Sequence, residues 1–180
     1  MTTLQNPVTG EAGESNSIKF PAVGTGILVG LVGFDGYQQT DYDTDELKTW
    51  KDGSPMMGTK ITGVAWESTG AEIGPKDDRT APVKGSVVTI FVEGSKFYAW
   101  RDASAEAAKA NHVYEVGDLI WFGCTGTTPA TNPKHDDRKD YGAKIGKPTA
   151  EHAELVAQCQ AAYQTASAIP VAAPANTAPF

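Results

Sequence analysis

From Ile18 onward, apolar residues recur at the short spacings of β structure. Val23 to Phe34 mixes β-branched side chains with regularly placed glycines, and glycine inside a strand marks a bulge, a bend or the close approach of another backbone. Thr59 to Trp66, with Ile61, Val64 and Trp66 as its apolar positions, predicts a second strand. Ser86 to Glu93 is the clearest strand pattern, and Gly94-Ser95 separates it from an aromatic continuation, Lys96 to Trp100. Asp102 to Ala110 is alanine-rich behind a capping Asp or Ser, which predicts a short helix. Val116 to Thr125 and Tyr141 to Gly146 supply two more strands, and Thr149 is placed to cap a closing helix. On that helix Leu155, Val156, Cys159, Ala162, Tyr163 and Ala166 share one face.

The polar stretches set the organisation. Residues 1–17 and 168–180 lack the apolar content to order themselves and are expected to be a flexible arm and a Pro/Ala-rich tail. The barrel domain is expected over 18–148 and the C-terminal helix over 149–167. Five uneven strands, with a short helix between the third and fourth, predict a mainly β fold. The expected form is a five-stranded OB-like Greek-key barrel (the oligonucleotide-binding fold) followed by a C-terminal α-helix. The pattern leaves open whether that helix packs on its own barrel or serves a homo-oligomer.

Composition narrows the class. The 180 residues are 40% hydrophobic and 21% charged, ordinary globular usage. The longest strongly apolar run, Gly26 to Val32, is far short of the ~20 residues of a membrane helix. Residues 1–17 show no signal-peptide pattern, so a cytoplasmic protein without a membrane partner is expected. Cys124 and Cys159 lack metal-ligand spacing and read as small buried hydrophobes.

The net charge of −7 argues against a nucleic-acid partner until its distribution is considered. Residues 76–101 hold five basic against three acidic side chains, and residues 134–148 repeat that ratio. Screening over about 8 Å makes the local patch, not the total, what a ligand feels.

No phosphate loop, nucleophile elbow or H-E-x-x-H pair is present, so no enzyme, cofactor or metal is expected. His112, His135 and His152 are scattered, and His135-Asp136-Asp137 are too close in sequence to converge on one ion. Asp41, Asp43, Asp45 and Glu46 miss the offsets of a calcium loop and read as a solvated acidic turn.

The aromatic residues carry more information. Trp50 lies between Lys48 and Lys51, and Phe97 to Trp100 between Lys96 and Arg101. Bases stack on such rings while lysine and arginine follow the phosphates. Tyr37, Trp50, Tyr98 and Trp100 are therefore the candidate stacking residues. Lys48, Lys51, Lys60, Lys96, Arg101, Arg138 and Lys139 are the candidate phosphate contacts. In the competing reading Trp66, Trp121 and one of Tyr98 or Trp100 fill the core, and Trp121 is expected there. Strand alternation would put Tyr98 and Trp100 on one face, Phe97 and Ala99 on the other.

Gly24-Thr-Gly-Ile27, followed by the stretch from Tyr37-Gln-Gln-Thr-Asp-Tyr to Thr49-Trp-Lys-Asp-Gly-Ser-Pro55, resembles a group of small proteins from tailed bacteriophages, especially of actinobacterial hosts. The similarity covers residues 24–60, and Asp45 stands where the group carries glycine. It implies an OB-like protein that binds single-stranded DNA in phage replication or recombination. The Pro179-Phe180 end is similar to the tip of bacterial single-stranded-DNA-binding proteins, although Ala-Asn-Thr-Ala replaces their acidic run. It implies docking onto phage or host replication proteins. A different class of function, an acidic protein-interaction module that binds a host protein through Asp41 to Glu46, is the alternative.

Overall fold

The structure, a computed structural model, describes residues 16–41, 44, 46–131 and 136–167. Five strands, β1 (Gly26–Gln38), β2 (Met57–Thr69), β3 (Val87–Val92), β4 (Leu119–Thr128) and β5 (Arg138–Gly146), form one sheet in the order β3-β2-β1-β4-β5. Every ladder is antiparallel. Helix α1 (Ser95–Lys109) joins β3 to β4, and α2 (Ala153–Ser167) follows a 3-10 turn at Ala150–His152. The fold is mainly β, an open five-stranded antiparallel sheet with two helices.

One face of the sheet encloses the main core. Ile27, Val29 and Leu31 of β1, Ile61 of β2, Ile90 of β3 and Ile120 and Phe122 of β4 are buried together. Leu31 and its neighbour Val32 point to opposite faces and are both buried, Leu31 in the main core and Val32 in a second cluster, and the register of β1 against β2 shifts between Leu31 and Gly33. That is the bulge that the glycine punctuation predicts.

Val32 meets α2 on the outer face, with Val64, Leu155 and Cys159. The approach is possible because position 30 carries no side chain. A Cβ on Gly30 would lie 2.5 Å from Cys159 Sγ and 2.8 Å from Leu155 Cγ. Helix α2 thus packs on its own sheet. Cys124 and Cys159 are both buried free thiols, and burial pushes Cys159 up to about 11. Tyr163, expected on the packed face, is exposed.

The chain before β1 fills the gap between the sheet's two outer strands. Ser17 pairs with Thr89 of β3 in parallel, and the Ile18 N–H donates to the Thr89 carbonyl at 2.8 Å. On the other side the Lys139 ammonium of β5 donates to the carbonyls of Phe20 (2.7 Å) and Pro21 (2.9 Å). Ile18 and Phe20 are buried, and Phe20 packs against the rings of Phe122 and Tyr141. Ser17, expected in the flexible arm, is therefore buried and bonded into the sheet edge. Residues 1–15 and 168–180 lie outside the described residues.

Two readings are corrected. Lys96 to Trp100 is not a strand: α1 starts at Ser95 and runs through these residues. A strand directly after β3 would have no partner ladder, whereas a helix lays Ala99, Ala103 and Ala107 against the sheet at four-residue spacing. Trp121 is not in the core either. Ile120, Phe122 and Cys124 take the inward positions of β4, so alternation turns Trp121 outward. Its half-buried indole covers the side-chain-free positions Gly26, Gly123 and Gly142.

Candidate nucleic-acid interface

The long polar excursion between β1 and β2 has its own β structure. Thr40 pairs with Leu47 and Thr49 with Pro55, both antiparallel, so residues 38–41, 46–50 and 54–57 form a miniature meander. Gln39 and Lys48 tie it together through Gln39 N–H to Met56 O, Lys48 N–H to Gln39 O and Met56 N–H to Lys48 O, at 2.7 to 2.9 Å. The second hairpin turns at Asp52-Gly53. Gly53 has φ +82°, a conformation that suits glycine, and Asp52 Oδ1 accepts from the Ser54 N–H (3.0 Å) and hydroxyl (2.6 Å). These two bonds hold the Asp52 carboxyl below the usual carboxylate range. The Thr-Trp-Lys-Asp-Gly-Ser-Pro stretch is thus a turn recipe, and its product is display: Trp50 is 59% exposed. Lys51 is exposed beside it, and Lys48 faces Asp41 at 4.0 Å.

Where the meander joins the sheet, the outer face of β1, β2 and β3 lies beyond the reach of α2. Tyr37 of β1 pairs with Gly58 of β2, and its ring occupies the space a side chain there would need, 2.7 Å from an added Cβ. The ring meets Phe91 of β3 edge-on at 5.4 Å between centroids. Its hydroxyl donates to Glu93 at 3.1 Å. Partial burial and the adjacent Glu93 carboxylate hold Tyr37 protonated well above the ordinary tyrosine range. Lys60 pairs with Phe91 on one side and Asp35 on the other, so it belongs to the same face. Phe91 is absent from the sequence-based set. Its period-two position between the buried Ile90 and Val92 signals an outward ring, but it has no neighbouring cation in sequence.

The remaining candidates divide. Tyr98, 57% exposed, lies on the solvent side of α1 with the Arg101 guanidinium over its ring at 5.3 Å. Arg101 is also paired with Asp102 at 2.8 Å. Trp100, one turn of helix from Lys96, is half-buried against the core and stacks on Tyr114, so helical geometry parts it from Tyr98. Arg138 is exposed at the start of β5 and reaches Asp140 at 3.2 Å. Lys139 is engaged with the chain before β1, and Lys96 is bonded to the Phe91 carbonyl at 3.1 Å. Trp66, a core residue in the competing reading, is half-buried on the outer face, packed against the second cluster, with the Lys84 ammonium 3.3 Å from its ring centroid.

The expected acidic turn is described only at Asp41, Thr44 and Glu46; Tyr42, Asp43, Asp45, His135, Pro179 and Phe180 lie outside the described residues. Among the described residues no group of three His, Cys, Asp or Glu side chains could hold a metal ion. No described helix is long and apolar enough to cross a membrane. His112 and the 1%-exposed Asp118 form a pair at 2.8 Å, joined by Lys147 Nζ at 3.1 Å from the carboxylate. The Glu115 N–H also donates to Asp118 (2.8 Å), and the network ties the α1–β4 connection to the chain after β5. Compared with family models, curated proteins and solved structures, the chain matches none.

Proposed function

We propose that the protein is a non-enzymatic binder of single-stranded DNA with little sequence preference, built on an OB-type barrel. The order β3-β2-β1-β4-β5, with a helix between β3 and β4 and residues 17–21 lying between β3 and β5, supports that fold reading. In OB folds the face of strands 2 and 3 and the loops after strands 1 and 4 bind oligonucleotides. Lys60 is on β2, Phe91 on β3, Trp50 in the first of those loops, and Arg138 at the end of the second.

The observation that carries the proposal is the meander's display of an open indole between two lysines, beside a strand face bearing Tyr37, Phe91 and Lys60. Open rings accept any base, and lysines accept any phosphate, which is the chemistry of binding without sequence readout. Tyr98 with Arg101 extends it onto α1. Trp100 packs against the core, and Lys139 is bonded to the N-terminal seam. The role that fits is coating of single strands during phage replication or recombination, with Pro179-Phe180 as a docking point for replication proteins. Titration of labelled oligo-dT at two salt concentrations tests the reading. Saturable binding that weakens with salt, by a log–log slope of about −0.7 per phosphate contacted, is expected. Failure to bind at low salt overturns it and leaves the acidic protein-interaction module as the function to pursue.

A further inference from the structure

Several cations of this acidic chain stand next to a carboxylate, as Lys48 does with Asp41, Arg101 with Asp102 and Arg138 with Asp140. The seam between β3 and β5 departs from that pattern. Three lysines from three different elements converge there, and among the described residues none has a carboxylate within ion-pair distance.

Lys96, at the start of α1, donates from Nζ to the Phe91 carbonyl at 3.1 Å and lies 5.7 Å from the centre of the Tyr141 ring. Lys139 precedes Tyr141 by two residues on β5, hence on the same side of the sheet, and donates to Phe20 and Pro21. Phe20 itself packs on Tyr141 at 5.8 Å, so Lys96 and Lys139 flank one pair of rings. Lys19 sits between the buried Ile18 and Phe20 and is itself part-exposed, so its side chain leaves the core on the solvent side of the seam. Burial pushes the Lys96 ammonium down to about 8, and the charges of Lys19 and Lys139 push the same way against the opposing Glu93.

An ammonium has three N–H donors. Lys96 spends one on Phe91, Lys139 spends two on the N-terminal segment, and Lys19 spends none among the described residues, which leaves unspent N–H groups on all three. Glu93 opposes them at Lys96, and Glu72, across an antiparallel bridge from Lys19, is itself paired with Arg79 at 3.8 Å, so the three like charges still repel and a bound anion removes the repulsion. A carboxylate has two oxygens and one charge; a phosphate offers more oxygens and up to two charges, which suits three point-like ammonium donors. We infer that Lys19, Lys96 and Lys139 form a phosphate-binding site in the seam between β3 and β5. The site does not depend on strand binding. Its phosphate is either a diester of a bound strand or a free phosphate or phosphorylated small molecule.

Inorganic phosphate is the probe, added to the full chain while the lysine side-chain signals are titrated with pH by NMR. Phosphate is expected to raise the Lys96 midpoint above about 8, and chloride at matched ionic strength to leave it in place. In Lys19→Met the midpoint starts higher, because a like charge is gone, and phosphate affinity falls by about tenfold, the loss of one charge-assisted bond. Lys19 is the informative variant because its side chain holds no part of the fold. A Lys96 midpoint indifferent to phosphate, or an unchanged phosphate response in Lys19→Met, overturns the inference. Oligo-dT that abolishes the phosphate response assigns the site to a strand's backbone. Oligo-dT that binds without touching the response assigns it to a free phosphate group. If phosphate acts and oligo-dT does not bind at all, the site stands and the strand-binding proposal falls.

Discussion

Replacing Trp50 by alanine separates display from structure. The indole is 59% exposed, and the hairpin beneath it is held by main-chain bonds that survive truncation: Trp50 N–H to Ser54 O at 2.8 Å and Gly53 N–H to Trp50 O at 2.9 Å. Folding stability should therefore stay within about 0.5 kcal/mol of the parent. Binding should not. A base stacked on an aromatic ring contributes about 1–3 kcal/mol, which spans roughly 5- to 150-fold in affinity. An indole resting on its own meander offers room for one base, so the expected loss is about tenfold. No charge is removed, so the salt slope should be unchanged, whereas Lys51→Ala should flatten it by about 0.7. The assay is fluorescence anisotropy of labelled oligo-dT over a salt series, with thermal unfolding of both variants as control. Parent-like affinity in Trp50→Ala, with folding intact, would refute the claim that this ring stacks bases.

Three further outcomes follow from the packing. Gly30→Ala forces a methyl into Cys159 and Leu155, both fully buried, and should cost about 1–3 kcal/mol, read as a fall of several degrees in Tm; an unchanged Tm would show that α2 does not dock there. Asp118→Ala leaves His112, Lys147 and the Glu115 N–H without their shared acceptor and should destabilise the fold by about 3 kcal/mol in urea unfolding. In an alkaline absorbance titration Tyr37 should remain protonated well above the ordinary tyrosine range. Its raised pKa makes the neutral ring stabilising at neutral pH, a contribution lost as pH climbs through its folded-state value, and Tyr37→Phe should remove that alkaline loss.

The positions of the elements were readable because each carries its own period. Ser86 to Glu93 predicts a strand and β3 is Val87–Val92; Thr149 predicts a helix start and α2 begins at Ala153. The readings failed where two local patterns coincide. Lys96 to Trp100 is as aromatic as a strand, yet it has no sheet edge to join and the alanine stripe after it makes a better helix face. Trp121 is as apolar as a core residue, yet three glycines outside give it a place to lie. Of the candidate site, Trp50 with Lys48 and Lys51 was legible because ring, cations and turn recipe adjoin in sequence. Phe91 was not, because its partners Tyr37 and Lys60 belong to other strands.

Local chemistry in the chain was enough to dictate where strands, turns and helices form, since propensity, alternation and the Asp52-Gly53 turn act within a few residues. Which side chains end up neighbours was decided only by the assembled sheet. Strand order brings Tyr37, Lys60 and Phe91 onto one face, α2 covers the face of β1 that the main core does not, and the N-terminal segment lies against both Thr89 of β3 and Lys139 of β5. Those contacts join residues far apart in sequence, and no period within one strand or helix records them.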